Sequence, residues 1–308
     1  MCGISGSVSF KSSFNKEKLC EIGTKMTHML THRGPDNFGI WCDKDSGTVL
    51  GHRRLSIIDL SHHGKQPMLS HDGRFVIILN GEIYNYLELR KELIGFEYNF
   101  KGTSDTEVAL CAIQQWGVVE ALKKFVGMFA LGVWDRKNKK LFLARDRIGE
   151  KPLYYGWLNG IFVFASELKA LKVHPHWRGV IDRDALTQLL KYSYIPSPYC
   201  IYSGIKKLIP GTYIEISRNS HINGSEPKPY WSFNEIVLNG AQSRKIKKDK
   251  NETIEQLDKL LRETIKDKMI ADVPLGAFLS GGIDSSTIVA LMQSCGTQPV
   301  KTFSIGFH

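Results

Sequence analysis

Apolar and polar residues alternate in short runs along the first two-thirds of the chain, a pattern that is typical of half-buried strands. The runs are rich in β-branched and aromatic residues and end at Gly, Asp or Asn, which favour turns. Helical spacing of apolar residues is confined to 16–30 and 105–116, and Ser104 and Glu107 fit a capping box for the second helix. The predicted strands are 4–10, 38–42, 48–58, 74–80, 128–134, 140–146 and 161–166.

Strands and helices that occur in separate blocks predict an α+β domain, in which stacked antiparallel sheets are covered by helices. The pattern changes in the last quarter, where an amphipathic helix is predicted over 251–268. An apolar strand, a glycine turn and a helix follow over 274–293, with one more strand at 300–307. This β-loop-α-β unit is typical of the beginning of an α/β parallel-sheet domain. We therefore place one domain at 2–235, and a linker with a truncated second domain at 236–308.

The chain has 308 residues and a formal net charge of +10, with its densest basic run at 244–250. No aromatic residue interrupts that run and it follows the polar stretch 239–243, so a solvated linker is favoured over a nucleic-acid interface. No apolar run reaches the roughly 18 residues that span a membrane, and no secretory signal is present. A cytoplasmic location is expected. The six cysteines are scattered without a CxxC pair, which favours reduced thiols over a disulfide framework or zinc site.

The first residues, MCGISG, place a cysteine directly behind the initiator methionine. Cys2 can simply begin a strand, because Ile4 and Val8 sit at even spacings and can face a core. Alternatively, removal of Met1 leaves Cys2 with both a thiol and a free α-amine. Such an amine has a pKa of about 7.7–8.0, so it can act as a base near neutral pH without a histidine.

The segment SGGIDSS at 280–286 is the most specific local motif. Backbone amides of a glycine turn and of the following helix start form an anion-binding nest, so phosphate binding there has a physical reason. The segment is not a Walker loop, because the Gly-Lys-Ser ending is missing. Asp284 would repel bare phosphate, which indicates a divalent cation between them. The alternative is an ordinary strand-to-helix turn.

The segment NGEIYN at 80–85 follows an apolar strand, where Asn-Gly is usually a turn. Asn80 nevertheless offers a side-chain amide and Gly81 an uncovered N–H, two donors suited to an oxyanion. The segments HRGPD at 32–36, GHRRLSIID at 51–59 and TSDTE at 103–107 can each be a turn, a strand or a helix cap. Together they supply an arginine for an α-carboxylate and acids for an α-ammonium, the two charged ends of a free amino acid.

These motifs, with ARDRIGEKPLYY and FASELKAL, occur in the order seen in glutamine-hydrolysing asparagine synthetases, and SGGIDSS follows where that family carries its ATP loop. The chain resembles this family from residue 2 to its end. The resemblance implies an N-terminal class II amidotransferase domain of the N-terminal-nucleophile hydrolase fold, which cuts glutamine into glutamate and ammonia. It also implies a second domain that adenylates aspartate with Mg-ATP and receives the ammonia through an internal passage.

The resemblance assigns a role to individual residues. Cys2 would be the nucleophile, with Asn80 and the amide of Gly81 holding the oxyanion. Arg54 would pair with the carboxylate of glutamine. The remaining glutamine-binding positions, which would take the α-ammonium or line the pocket, are Glu82, Asp105, Leu55 and Ile57.

The expected cofactors are ATP and Mg, with Asp284 as the metal ligand. Small-molecule substrates (glutamine, aspartate and ATP) are the expected partners, without nucleic acid or membrane, and a homodimer is compatible with the sequence. The positions that match the ATP site of the family are Leu279, Ser280, Gly281, Gly282, Asp284, Ser285, Ser286 and Ile305.

The family continues for hundreds of residues beyond the segment present here, with a second Ser-Gly-rich acidic motif and a catalytic lysine. We therefore expect this chain to be competent only as a glutaminase. The main alternative is a related amidotransferase that acts on another carboxylate acceptor, such as a sugar or cell-envelope precursor. A tRNA-modifying enzyme with the same ATP loop would explain the basic charge, but it does not need Cys2 followed by NGEIYN.

Overall fold

Residues 1–10, 14–218, 220, 226–243 and 249–306 are described by the computed structural model. The chain divides into two compact units. The first unit contains Met1–Ser56 and Ser61–Phe233, and the second contains Ile57–Leu60 and Asn234–His308.

Twelve strands belong to the first unit within its described residues. They are β1 (Gly3–Val8), β2 (Asn37–Asp43), β3 (Thr48–Arg54), β4 (Met68–Leu69), β5 (Phe75–Ile83), β6 (Gly127–Asp135), β7 (Lys140–Arg145), β8 (Tyr154–Leu158), β9 (Ile161–Ala165), β10 (Ile205–Lys207), β11 (Thr212–Ile216) and β12 (Lys228–Pro229). One sheet has the order β10-β8-β9-β1-β3-β2, and the other has the order β12-β11-β7-β6-β5-β4. Neighbouring strands are antiparallel throughout both sheets.

The core of the first unit lies between the two sheets. Ile4 and Val8 of β1 pack in one cluster with Val76 and Trp134 of the facing sheet. The alternate residues of β1 point the other way, where the hydroxyl of Ser5 meets Thr27 at 2.9 Å. The prediction of stacked antiparallel sheets is therefore confirmed.

Helices cover the outer faces of this pair of sheets, as predicted. The N-cap of α3 is Ser104, whose hydroxyl accepts from the amides of Thr106 (3.1 Å) and Glu107 (3.4 Å). The reciprocal half of the predicted capping box is wrong, because the Glu107 carboxylate accepts from the Lys101 and Gly102 amides instead. The helices are α1 (Lys16–His28), α2 (Tyr86–Ile94), α3 (Asp105–Trp116), α4 (Val118–Lys124), α5 (Leu168–Lys172) and α6 (Arg183–Tyr192).

The C-terminal segment contains α7 (Phe233–Ser243), α8 (Lys250–Lys268), β13 (Gly276–Phe278), α9 (Ile283–Cys295) and β14 (Lys301–Phe303). Strands β13 and β14 pair in parallel, which confirms the predicted β-loop-α-β unit. The polar stretch 239–243 is the end of α7 rather than linker, because it continues a helix that carries Ile236 and Leu238. Within the predicted linker run 244–250, residues 244–248 lie outside the described residues. Phe278 is 78% exposed and Phe303 is also exposed, so this two-stranded sheet has an uncovered apolar face.

The expectation of reduced thiols is wrong for one pair of cysteines. Cys20 on α1 and Cys42 on β2 form a disulfide, with their Cα atoms 6.1 Å apart. Helix α1 packs across β2, and the fold thereby brings two cysteines 22 positions apart within bridging distance. Among the described residues no helix is long and apolar enough to cross a bilayer.

Asp146 organises the turn that follows β7. One of its carboxylate oxygens accepts from the amides of Gly149 (2.6 Å) and Glu150 (2.8 Å), and the other accepts from the amide of Lys151 (2.9 Å). Asp146 itself is buried, and so is its hydrogen bond with the Lys151 amide. The segment ARDRIGEKPLYY is therefore a structural turn as well as a family motif.

We predict that Asp146→Ala lowers the free energy of unfolding by about 3 kcal/mol, because three amides lose a charged acceptor and the amide of Lys151 loses it in a buried position. All six tryptophans lie in the first unit, so urea unfolding followed by tryptophan fluorescence reports on this unit. The control is Asp184→Ala at an exposed position of α6, which should unfold at the urea concentration of the unmodified chain. Equal stability of the two variants would contradict the structural role of Asp146.

Candidate active site

Cys2 lies one residue ahead of β1 and beside the end of β3. Its sulfur accepts from the amide of Leu55 at 3.4 Å and lies 3.6 Å from the Leu55 carbonyl oxygen. Its own carbonyl accepts from Nε of Arg33 at 2.8 Å. Met1 is 56% exposed, so the residue that precedes the cysteine is accessible. The carbonyl of Cys2 is thus held by Arg33, and its thiol lies against the backbone of Leu55.

Arg33 comes from the HRGPD motif and is held by Glu167 of the FASELKAL motif. The guanidinium donates to the Glu167 carboxylate at 2.9 Å, and His32 meets the same carboxylate at 3.0 Å. Burial would raise the pKa of Glu167, but hydrogen bonds from Arg33, His32 and Lys169 lower it to about 2. Two motifs that are far apart in the sequence therefore meet at Cys2, a role that the sequence analysis did not assign to Arg33.

Burial acts on the ionisable groups around Cys2 in opposite directions. It raises the pKa of the Cys2 thiol, which favours the neutral form, although the Leu55 amide and the terminal amine oppose this effect. It lowers the pKa of the chain's terminal amine, and the positive charges of Arg33 and Lys151 add to that effect. The site therefore favours a neutral amine beside a neutral thiol.

Asn80 and Gly81 lie in β5, on the sheet that faces Cys2's strand. Asn80 is 0% exposed, and neither polar atom of its side-chain amide has a hydrogen-bond partner within the described residues. An unpaired buried amide costs about 1–3 kcal/mol. Gly81 has φ +150°, and a Cβ there would lie 1.9 Å from the carbonyl oxygen of Met128. Only glycine fits after Asn80, and the Asn80 amide remains available to a ligand.

His52 of β3 connects this pair of donors to the strand that carries Arg54. Its Nε2–H donates to the carbonyl oxygen of Leu79 at 3.0 Å, directly before Asn80. Burial lowers the pKa of His52 to about 4, so the imidazole is neutral near pH 7. The histidine therefore holds β5 against β3 and is not a base for Cys2.

Arg54 ends β3 and is buried. One of its guanidinium nitrogens donates to the Ser61 carbonyl at 3.1 Å, and a Cβ on Gly64 would lie 1.9 Å from the other. The predicted strand 48–58 stops at Arg54, because the Ser56 amide donates to the Asp36 carboxylate (2.8 Å) rather than to a neighbouring strand. A closely packed turn thus fixes the direction of the arginine.

Asp105 is the first residue of α3 and lies buried beside the end of β5. Its carboxylate accepts from the Ile83 amide at 2.9 Å and from the Thr106 hydroxyl at 3.3 Å. Burial raises its pKa to about 6, although these hydrogen bonds and the charge of Arg54 oppose the rise. Asp105 also contributes to the raised pKa of Cys2, which places the two groups within electrostatic range of each other.

The remaining predicted glutamine-binding residues lie at different places. Glu82 follows Gly81 in β5, is half-buried, and interacts electrostatically with Lys151 and with the chain's terminal amine. Leu55 contacts Cys2 through its backbone. Ile57 belongs to the second unit, where its carbonyl accepts from the Asp272 amide at 2.9 Å.

Two polar residues near these groups were not predicted: Lys151 lies within the ARDRIGEKPLYY motif, whereas Gln66 lies in none of the motifs. Lys151 is buried, and its amide donates to the Asp146 carboxylate. Burial lowers the pKa of its side chain, and the charge of Glu82 opposes that effect. Gln66 is buried between β5 and the start of α3, where its amide bonds both elements.

In the second unit, the segment 280–286 forms the turn between β13 and α9. The hydroxyl of Ser285 accepts from the Ser280 amide at 3.3 Å and meets the Ser280 hydroxyl at 3.1 Å. Gly282 is the N-cap of α9 and has no side chain to bond the first amides of the helix. These amides are exposed and suit an anion such as phosphate.

Leu279 and Ile305 lie just past the carboxyl ends of the two parallel strands, where α/β sheets commonly bind ligands. The Leu279 amide donates to the Phe303 carbonyl at 2.8 Å. No group of three His, Cys, Asp or Glu side chains suited to a metal exists among the described residues. Asp284 fits a magnesium ion that arrives with phosphate oxygens, since Mg²⁺ commonly takes one or two carboxylates together with substrate phosphates.

Comparison with known proteins gives consistent matches. Residues 1–231 match the family described as glutamine amidotransferase domain, and residues 256–308 match asparagine synthase. Asparagine synthetase (glutamine-hydrolysing) 1 of Bacillus subtilis is 37% identical over 314 residues, which cover 100% of this chain and 46% of that protein. A putative asparagine synthetase (glutamine-hydrolysing) 2 of Methanocaldococcus jannaschii is 37% identical over 329 residues, covering 100% of this chain and 60% of that protein. The chain spans about half the length of the curated relatives it matches.

A solved structure of glutamine phosphoribosylpyrophosphate amidotransferase from B. subtilis, complexed with ADP and GMP, has a similar fold. Its TM-score is 0.56 at 16% sequence identity, and the match covers 98% of this chain and 65% of that one. This likeness concerns the fold alone and confirms the predicted N-terminal-nucleophile type of α+β domain. The chain belongs to the glutamine amidotransferase domain family and resembles glutamine-hydrolysing asparagine synthetases along its whole length.

Proposed function

We propose that the first unit hydrolyses glutamine to glutamate and ammonia, with the Cys2 thiol as nucleophile. The observation that carries the proposal is the fully buried amide of Asn80, which has no partner among the described residues and stands next to the N–H of Gly81. A cost of this kind is tolerated where a ligand supplies the missing partner. Two neighbouring donors suit the oxygen that becomes negative when a thiolate attacks an amide.

The reaction proceeds in two steps. The sulfur of Cys2 forms a bond to the carboxamide carbon of glutamine, and Asn80 and Gly81 stabilise the resulting oxyanion. The carbon–nitrogen bond then breaks, and ammonia leaves with one added proton. Water attacks the remaining thioester, which releases glutamate and restores the thiol.

The α-amine of Cys2, freed by removal of Met1, moves the protons. The thiol is neutral in its buried position, so it needs a base, and His52 is excluded by its position and its low pKa. The chain's terminal amine already has a lowered pKa beside Arg33 and Lys151. An amine one residue further inward would be subject to the same influences. It would accept the thiol proton and deliver it to the departing ammonia.

The charged ends of glutamine are bound by buried or half-buried groups of opposite sign. Arg54 pairs with the α-carboxylate, and Asp105 with Glu82 takes the α-ammonium. Leu55 lines the pocket around the side chain. This assignment pairs each charged end of the substrate with a side chain of opposite sign.

In the whole protein we propose that the ammonia reaches an aspartate that ATP has adenylated. Residues 280–286 would bind the phosphates of ATP through the amides at the start of α9, and Asp284 would hold the accompanying Mg²⁺. Leu279 and Ile305 would contact the nucleotide. ATP supplies the adenylate that activates the carboxyl group. The described site residues of the first unit concern glutamine alone, so a related amidotransferase with another carboxylate acceptor is the second candidate.

Replacing Cys2 by alanine should abolish release of glutamate from glutamine, because the proposed reaction forms its covalent bond at the Cys2 sulfur. A full-length form of Cys2→Ala should still make asparagine from free ammonia, since the two reactions use separate motifs. Cys295→Ala, which removes an exposed thiol of the second unit, is the matched control and should be fully active. Normal glutaminase turnover in Cys2→Ala would disprove the assignment.

Two substitutions separate chemistry from binding. Asn80→Ala should lower kcat by about 100- to 1000-fold, as expected for loss of one oxyanion donor. Arg54→Lys should mainly raise KM for glutamine, because lysine cannot make two parallel hydrogen bonds to a carboxylate. Arg74→Lys is the control, since Arg74 pairs with Asp135 at the other end of β5. An increase in KM for Asn80→Ala, with kcat unchanged, would show that Asn80 binds substrate only.

The chain ending at His308 should release glutamate but form neither AMP nor asparagine when it is given glutamine, aspartate and Mg-ATP. The reason is that its parallel sheet has two strands with an exposed apolar face, whereas such sheets are normally covered on both faces. Separate assays of the three products test this division. Formation of AMP and asparagine by this chain would contradict it.

A further inference from the structure

Gln66 is a buried residue that connects the two halves of the proposed glutamine site. Its side-chain oxygen accepts from the amide of Leu79 at 2.6 Å, directly before the oxyanion donor Asn80. Its side-chain nitrogen donates to the hydroxyl of Thr106 at 3.1 Å, directly after Asp105. Gln66 and Thr106 are both less than a tenth exposed.

Donor and acceptor can be assigned for each hydrogen bond in the series that runs through Gln66. A backbone amide can only donate, so Gln66 must turn its oxygen towards Leu79 and its NH₂ group towards Thr106. The Thr106 oxygen therefore acts as an acceptor, and its own proton is free to point at the Asp105 carboxylate, 3.3 Å away. The second oxygen of Asp105 accepts from the Ile83 amide. Both oxygens of Asp105 thus face donors.

An ionised carboxylate suits this arrangement, because it only accepts, whereas a protonated carboxyl would need an acceptor for its own proton. Burial works against the ionised form and raises the pKa of Asp105 to about 6. The ionisable groups that act on Asp105 are Arg54, from the end of β3, which favours ionisation, and Cys2, ahead of β1. The donors from Thr106 and Ile83 are the other stabilising influence.

We propose that Gln66 and Thr106 are positioning residues that keep Asp105 ionised and oriented for the α-ammonium of a free amino acid. The inference rests on the proposed function, in which Asp105 pairs with that ammonium. A protonated carboxyl would lose most of this attraction. The hydrogen bonds from Gln66 to Thr106 and from Thr106 to Asp105, here called the relay, therefore determine whether the site prefers free glutamine over a glutamine whose amine is blocked. Gln66 also ties this ammonium site to the strand residue that precedes Asn80.

The direct test is the pKa of Asp105, measured by carbon NMR of the whole chain with ¹³C-labelled aspartate, the signal being assigned with Asp105→Asn. Thr106→Val has nearly the same shape but lacks the hydroxyl, so it should raise the pKa of Asp105 by about 1. Thr106→Ser keeps the hydroxyl and is the matched control, with the pKa of the unmodified chain. Gln66→Met should act in the same direction as Thr106→Val.

The second readout is KM for glutamine against pH. A pKa that moves from about 6 to about 7 raises KM about threefold at pH 6.5 relative to the unmodified chain, and leaves it unchanged at pH 8.5. The value of kcat should stay the same, because the hydroxyl does not touch the reacting atoms. Thr106→Ser should follow the unmodified chain at both pH values.

An unchanged pKa of Asp105 in Thr106→Val would overturn the relay. So would a KM that rises equally at pH 6.5 and pH 8.5, which is the signature of a merely structural role. If the unmodified chain releases no glutamate, the proposed function fails, while the NMR titration still decides whether Gln66 and Thr106 control Asp105.

Discussion

The active-site geometry depends on the antiparallel pairing of β1 with β3. Gly3 lies opposite Arg53 in this pairing, so the residue before β1, Cys2, meets the residues that follow Arg53. Strand β1 is also paired with β9 on its other side, which makes it an interior strand of its sheet. A shift of one residue in this register would turn Ile4 and its alternates out of the core. Packing between the sheets therefore fixes where Cys2 lies.

Burial gives these fixed groups their chemical character. It raises the pKa of the Cys2 thiol and of Asp105, and it lowers the pKa of the chain's terminal amine. It also leaves the amide of Asn80 without a partner among the described residues. The buried Asn80 amide carries the cost of an unmade hydrogen bond, which a ligand that reaches it would remove.

Local signals in the sequence predicted most strands and the helix over 105–116. Helix α3 begins as predicted because its cap, Ser104, is adjacent in sequence. The end of β3 was missed because it depends on Asp36, which binds the Ser56 amide from a turn 20 residues away. The hydrogen bonds of Gln66 could not be predicted either, because its partners Leu79 and Thr106 lie on separate elements that are distant in the sequence. Motif residues are visible one at a time, whereas the hydrogen bonds between them arise only when the sheets stack.

The central claim is that Cys2, without Met1, is the nucleophile for a glutamine-like substrate. It is tested most directly with a glutamine analogue that carries a reactive diazoketone in place of the carboxamide, followed by peptide-mapping mass spectrometry of the intact chain. The account predicts a single adduct on an N-terminal peptide that begins at Cys2, and excess glutamine should prevent it. An adduct on Cys111, Cys200 or Cys295 instead, or on Cys2 in a chain that retains Met1, would contradict the account.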